Sequence, residues 1–159
     1  MTSNPSGASE PSGRRARKLE LRDYRLLSKF RYLIRCFLEF SEASATRIGL
    51  TARQHQALLA IKGTREDATP TIGYLAERLR IQHHSAVELV DRLTEAGLVE
   101  RERDPDDRRR IKLLLTPAAE QRLAELSASH MLELQRLGPT LMALLDEAVT
   151  LRPPQRPEK

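Results

Sequence analysis

Residues 71–116 decide the fold, and they read "TIGYLAERLRIQHHSAVELVDRLTEAGLVERERDPDDRRRIKLLLT". Their first part repeats apolar residues at the three- and four-residue spacing of helices that bury one face. Thr71 is suited to cap the first helix, and Gly97 is suited to end the second. We therefore predict two short helices, with these inward positions in chain order: Ile72, Leu75, Leu79, Ala86, Leu89, Val90 and Leu93.

Beyond residue 97 the apolar spacing changes from helical to alternating, which is the pattern of a strand. The segments "LVERER" (98–103) and "RIKLLL" (110–115) flank Asp104-Pro105-Asp106-Asp107, a strong turn signal. The sequence therefore predicts a β-hairpin with a charged tip, whose second strand turns one face inward through Ile111, Leu113 and Leu115.

Two short helices followed by a hairpin form a winged helix-turn-helix, whose second helix can enter the major groove of DNA. The outer N-terminal positions of that helix are those that can reach base edges, and all of them carry side chains capable of hydrogen bonding. Glu88, for example, can accept from a cytosine amino group. The alternative is that the two histidines only cap the helix and lie in solvent. The candidate DNA-contacting residues of the helix are Gln82, His83, His84, Ser85 and Glu88.

The hairpin tip carries three consecutive arginines, Arg108, Arg109 and Arg110. Such a tip can place an arginine in the adjacent minor groove, where narrow A·T-rich sequence concentrates negative potential. The acids at the same tip would repel phosphate, but a carboxylate can also hold a guanidinium in a fixed orientation. The alternative is a solvated charged turn, whose ion pairs contribute little.

Helices are predicted on both sides of this region. A long helix over Leu19–Ala45 carries a wide apolar stripe that something must cover, either the rest of the chain or a second subunit. A further helix begins at Thr51 and ends at Gly63. Thr116-Pro117 starts another helix, which Gly138-Pro139 is expected to break, leaving a separate last helix.

Composition narrows the class of protein. The 159 residues suffice for one domain, and the formal net charge of +5 comes mostly from arginine, which suits phosphate. The single cysteine, Cys36, excludes an internal disulfide, and its apolar neighbours indicate an inert thiol. The sequence lacks an apolar run long enough for a transmembrane helix and has no secretory signal, so we expect a soluble cytoplasmic protein with no membrane partner.

Enzymatic and metal-binding classes find little support. The chain contains no glycine-rich phosphate loop and no nucleophile elbow, so we expect neither an enzyme nor a cofactor. His83 and His84 are adjacent and point about 100° apart on a helix, which argues against a shared metal ion. His55 and His130 are isolated in sequence, and we expect no metal site.

The stretch quoted above resembles the DNA-binding core of MarR-family transcriptional regulators. The matching pieces are "LVDRL" in the second helix, "GLV" after it, an Asp-x-Arg element at 107–109, and Leu115-Thr116. The resemblance implies a homodimer whose first and last helices intertwine and whose winged regions read a pseudo-palindromic site in double-stranded DNA. It also implies that Arg109 is the wing arginine, supported by Asp107. Family members commonly act as repressors that small phenolic or anionic effectors relieve.

The resulting organisation is mostly α with a small β-hairpin wing. It comprises a disordered basic arm (1–18), a first dimerisation helix (19–50), a winged helix-turn-helix (51–116), C-terminal dimerisation helices (117–151) and a disordered tail (152–159). We expect a sequence-specific DNA-binding regulator of the MarR type, a homodimeric repressor whose affinity a small ligand tunes. The alternative is a winged-helix module for protein–protein contact without specific DNA binding, which the fold alone permits.

Overall fold

The computed structural model of the chain describes residues 19–65, 68–103 and 110–150. The predicted arm, the predicted tail and the hairpin tip with Asp107, Arg108 and Arg109 lie outside these residues. The described elements confirm the predicted fold class, mostly α with one small β-hairpin. In chain order they are α1 (Leu21–Arg47), α2 (Ala52–Lys62), α3 (Ile72–Leu79), α4 (His83–Glu95), β1 (Val99–Arg103), β2 (Ile111–Leu115) and α5 (Pro117–Thr150).

Threonine caps start three of the helices where the sequence predicts them. The Thr51 hydroxyl accepts from the Gln54 amide at 3.2 Å, and the Gln54 side chain accepts from the Thr51 amide at 2.9 Å, which forms a capping box. Thr71 caps α3 by accepting from the Tyr74 amide at 3.2 Å. Thr116 caps α5 in the same way. These hydrogen bonds satisfy amides that a helix start otherwise leaves open.

One core joins α2, α3, α4, the hairpin and the first part of α5. The Leu113 amide donates to the Pro70 carbonyl at 2.8 Å, so β2 is tied to the segment before α3. The strands pair antiparallel, with Val99 opposite Leu115 and Arg103 opposite Ile111. The largest fully buried side chains of this core are Leu58, Leu75, Leu89, Leu93, Leu98, Leu113, Val90 and Val99.

The predicted break at Gly138-Pro139 is wrong, because α5 continues without interruption from Pro117 to Thr150. A proline inside a helix removes one hydrogen bond and crowds the carbonyl four residues earlier, which costs about 3 kcal/mol. Packing on both sides of the proline offsets that cost, since Leu134 before it and Leu141 after it line the same apolar cleft against Leu33 and Phe37 of α1. The two predicted C-terminal helices are therefore one.

The long helices α1 and α5 pack on each other and leave much apolar surface open. This agrees with the wide stripe seen in the sequence of α1, and α5 carries a similar surface. Among the helices in the described ranges, the apolar content nowhere reaches what a membrane crossing requires. The large apolar side chains of α1 and α5 that are more than 40% exposed include Leu21, Tyr24, Leu27, Tyr32, Ile34, Leu38, Met131, Leu132, Leu134, Met142, Leu145 and Val149.

Candidate nucleic-acid interface

The connection between α3 and α4 is short and fixed by hydrogen bonds. The Arg80 amide donates to the Glu77 carbonyl at 3.1 Å, and the Ile81 amide donates to the Ala76 carbonyl at 3.0 Å. Arg80 itself adopts the left-handed conformation, with φ of 55°, which turns the chain sharply into α4. The turn and the shared core together set the angle at which α4 is presented.

The outer side of α4 is set by its buried side. Because Ala86, Leu89, Val90 and Leu93 are buried, the opposite face lies in solvent. Of the five residues predicted to contact DNA from the start of α4, four are exposed and Ser85 is partly buried. His84 and Glu88 stand one turn apart on one stripe of the helix. The exposed candidates at this end of α4 are Gln82, His83, His84 and Glu88.

The start of α4 is open. Gln82 is its N-cap residue, and the Gln82 side chain makes no capping hydrogen bond. A helix N-terminus presents unpaired amides and the positive end of the helix dipole. His83 and His84 are both exposed, an arrangement that fits DNA contact and also the alternative of a solvated helix start.

An open cleft of about 510 Å³ joins the start of α3, the start of α4 and the start of β2, at the turn end of the hairpin. Arg110 is the one tip arginine within the described residues, and it is exposed. Arg110 and His83 line this same cleft, so the structure brings the turn end of the hairpin and the predicted contact helix together. The remaining lining residues are Thr69, Thr71, Ile72, Gly73 and Ile111.

An ion pair that sequence reasoning missed links the helix to the hairpin. The Arg101 guanidinium of β1 donates to the Asp91 carboxylate of α4. Asp91 is three residues beyond Glu88 and therefore lies on the same side of α4. The available signal was the two-residue period of β1, which places Arg101 on the same face as the buried Val99.

The helix α4 is itself acidic. Glu88, Asp91 and Glu95 lie within its sequence, against Arg92 as the one strongly basic residue. Attraction to a phosphate backbone therefore has to come from other elements. Because Arg101 is paired with Asp91, the described basic residues of the hairpin that can supply it are Arg103, Arg110 and Lys112.

Within the described residues, metal-binding and cysteine side chains are not grouped together at α4 and the hairpin. Over the ranges that the structure covers, no three His, Cys, Asp or Glu side chains group closely enough to hold a metal ion. Cys36 lies on α1, far along the chain from α4, and is only half-buried. Its side chain hydrogen-bonds Tyr32, and this contact raises the pKa of the Tyr32 hydroxyl above its ordinary value.

Comparison with known proteins agrees with the geometry. Residues 48–110 match the sequence model of the MarR family. The uncharacterized HTH-type transcriptional regulator YcgE of Bacillus subtilis (strain 168) is 33% identical over 87 residues, which is 55% of this chain and 54% of YcgE. The match therefore spans about half the length of that curated relative.

Solved structures share the fold over most of the chain. AbsC, a MarR-family transcriptional regulator from Streptomyces coelicolor, superposes with a TM-score of 0.66 at 21% identity, covering 84% of this chain and 93% of AbsC. MepR, a transcription regulator of the Staphylococcus aureus multidrug efflux pump MepA, gives 0.66 at 18% identity, covering 80% and 96%. Together with the helix pair, the hairpin and the match of residues 48–110 to the MarR-family model, these likenesses show that the chain has the winged helix fold of these regulators.

Proposed function

We propose that this protein is a transcriptional regulator that binds double-stranded DNA with sequence specificity. The observation that carries the proposal is that the exposed start of α4 and the turn end of the hairpin meet at one cleft, which His83 and Arg110 both line. A MepR F27L mutant of the same fold, with a TM-score of 0.60, has been solved bound to an oligodeoxyribonucleotide. That complex supports DNA as the ligand of this fold.

Base recognition falls to the N-terminal half of α4. An α-helix fits the major groove of B-DNA, and its first residues then reach the base edges. His84 and Glu88 share the solvent-facing stripe of α4, so both can address bases in the same groove. Glu88 accepts hydrogen bonds when ionised, which suits a cytosine amino group, and Gln82 can pair with adenine.

Backbone attraction falls to the hairpin. Arg109 at the tip, with Asp107 as its support, is proposed to enter the minor groove beside the helix. Arg108 and Arg110 flank it and suit phosphate contacts. Because α4 is acidic, these arginines must supply most of the charge that draws the protein to DNA.

The DNA-binding form of the protein is proposed to be a homodimer. The apolar side chains left open on α1 and α5 need a cover, and a second copy of both helices supplies one of matching character. A two-fold dimer presents two copies of α4, so the site would be a pseudo-palindrome with half-sites about one helical turn apart.

Regulation is proposed to follow the family pattern, as a cytoplasmic repressor relieved by a small effector. An apolar cleft of about 140 Å³ between α1 and α5, lined by Leu33, Phe37 and Leu137 among others, supports an aromatic effector. A cavity of about 150 Å³ takes up benzene in other proteins. The ring of a phenolic compound suits this cleft better than a purely anionic ligand does.

Selection of duplexes from a random pool tests the DNA-binding function. The wild-type chain and Glu88→Ala should be selected in parallel. We expect wild type to enrich a pseudo-palindrome, and Glu88→Ala to keep that site but lose its preference at a symmetric pair of positions. Identical enriched sites for both proteins would contradict the placement of Glu88, and no enrichment with wild type would contradict the function.

A further inference from the structure

We propose that Arg101 is a positioning residue of the DNA-binding surface, acting through its ion pair with Asp91. The pair holds the first strand of the hairpin against α4, so the two elements proposed to contact DNA keep one relative orientation. This inference rests on the proposed DNA-binding function and deepens it. It gives Arg101 and Asp91 a role in sequence specificity without requiring either residue to contact a base.

Asp91 occupies a critical side of α4. Residues three and four apart share a helix face, so Asp91 continues the stripe that runs through His84 and Glu88. A bare carboxylate there would face the phosphates that border the major groove. The Arg101 guanidinium, bonded to the Asp91 carboxylate, removes that unpaired negative charge from the surface.

Arg101 lies on the part of β1 that is no longer buried in the core. Val99 is the buried residue of the strand, and every later residue of β1 is exposed. Side chains two apart on a strand share a face, so Arg101 is the first position beyond the core that still points toward α4. The ion pair therefore extends the attachment of the strand to the helix beyond Val99, toward the hairpin tip.

The pair is suited to orientation rather than to stability. The side chains of Arg101 and Asp91 remain 34% and 46% exposed. Exposed ion pairs contribute little to the free energy of unfolding, because water solvates both charges in the separated state. Variants at either position are therefore expected to fold, and DNA binding can be measured without loss of the structure.

Charge and position predict opposite results for Asp91→Ala. This change removes a negative charge close to the DNA, so an effect of charge alone would tighten binding to every duplex. If the pair positions the hairpin, Asp91→Ala instead weakens binding to the selected site, because the hairpin loses its register with α4. The sign of the change separates the two roles.

The test compares Asp91→Ala, Arg101→Ala, the double variant and Arg101→Lys with wild type. Dissociation constants are measured by fluorescence anisotropy for the duplex that wild type selects and for a scrambled duplex of equal length. Each single alanine variant should bind the selected duplex about tenfold more weakly, on the scale of one lost base contact. The double variant should be no worse than the weaker single, because both remove one interaction. Arg101→Lys keeps the charge and should retain most of the affinity.

Two controls make the outcome decisive. Lys62→Ala breaks an ion pair whose two side chains are also exposed, with Glu120 at the start of α5, and should leave both dissociation constants unchanged. Thermal midpoints should agree with wild type for all variants. If Asp91→Ala binds the selected duplex as tightly as wild type, or tighter, the positioning role is overturned while the proposed function stands. If wild type itself shows no preference for any duplex, the proposed function fails and the inference falls with it.

Discussion

The imidazole rings of His55 and His130 lie with their centroids 4.8 Å apart, where α2 meets α5. The Nδ1 atom of His130 lies 2.7 Å from the Leu126 carbonyl, and Nε2 lies 2.8 Å from the Ser41 hydroxyl. Because a carbonyl only accepts, the Nδ1 atom of His130 donates to Leu126. His55 is 3% exposed, and its Nδ1 atom is buried without a hydrogen-bond partner. These rings join the winged region to the long helices.

The buried His55 ring predicts that the protein loses stability in mild acid. Burial, and then the nearby His130, lower the pKa of His55 below its ordinary value of 6.5. Between the lowered pKa of the folded state and about 6.5, the unfolded chain binds the proton more readily than the folded chain does. The stabilisation from the neutral His55 ring is therefore complete above about pH 6.5 and is lost as the pH falls toward the folded pKa. The thermal midpoint should therefore fall as the pH is lowered through this range.

A pair of histidine variants checks the source of this pH dependence. His55→Leu removes the buried titrating group and should flatten the profile, while His84→Gln removes an exposed histidine and should leave the profile unchanged. Because the buried Nδ1 atom of His55 has no hydrogen-bond partner, an apolar side chain at this position loses no hydrogen bond from that atom. An equally steep decline in His55→Leu would exclude His55 as the cause.

Backbone conformation predicts opposite effects of alanine at two glycines. Gly97 has φ of +66°, and an added Cβ meets nothing within 4 Å, so Gly97→Ala should destabilise by about 1 kcal/mol through the backbone alone. Gly73 is helical, and its added Cβ lies 3.8 Å from the Thr71 hydroxyl, so Gly73→Ala should stabilise by about 0.5 kcal/mol. Urea unfolding of both variants checks this, and equal effects of the two changes would contradict it.

The proposed dimer predicts that one charge on α1 separates the subunits. Leu38 is 50% exposed in the single chain, and burial of a glutamate at that position against a second copy would cost several kcal/mol. Leu38→Glu should therefore sediment as a monomer. Leu59→Glu is the matched control, because Leu59 on α2 is 48% exposed but lies outside α1 and α5. A dimeric Leu38→Glu would place the interface elsewhere.

Replacement of Arg109, the proposed wing arginine, should weaken DNA binding. Arg109→Ala should weaken binding to the selected duplex by about 1–3 kcal/mol, the usual scale for a lost arginine contact in a groove. The slope of affinity against salt should also become shallower, since fewer counterions are released. Arg35→Ala, on the exposed side of α1, should change neither quantity. If Arg109→Ala binds as wild type does, the wing assignment is wrong.

The sequence predicts local structure well where periodicity and caps agree. The two-helix pattern around Leu75 and Leu89, and the alternation through Leu113, specify elements that the structure contains. The error at Pro139 has a physical reason: a proline weakens a helix locally, but packing of α5 along α1 sustains it, and that packing is not visible in a short window of sequence.

Contacts between distant residues escape the same reasoning. His55 and His130 are isolated in sequence, yet their rings meet because α2 and α5 cross at that point. The Asp91–Arg101 pair likewise depends on the angle between a helix and a strand, which no spacing rule supplies. The candidate contact residues of α4 could be named from the sequence, because the position of the buried face decides which side chains of a helix are exposed.

The most direct test of sequence-specific DNA binding measures two affinities of the full chain at two salt concentrations. One is for its selected duplex, and the other is for a scrambled duplex of the same length. We expect the selected duplex to bind at least about 10³-fold more tightly near physiological salt, which is the range of specific DNA-binding proteins. Raising the salt should weaken binding to both duplexes and leave the selected one preferred. Equal affinities that vanish together at higher salt would mean generic charge attraction, and would contradict the assignment of this surface to sequence-specific recognition.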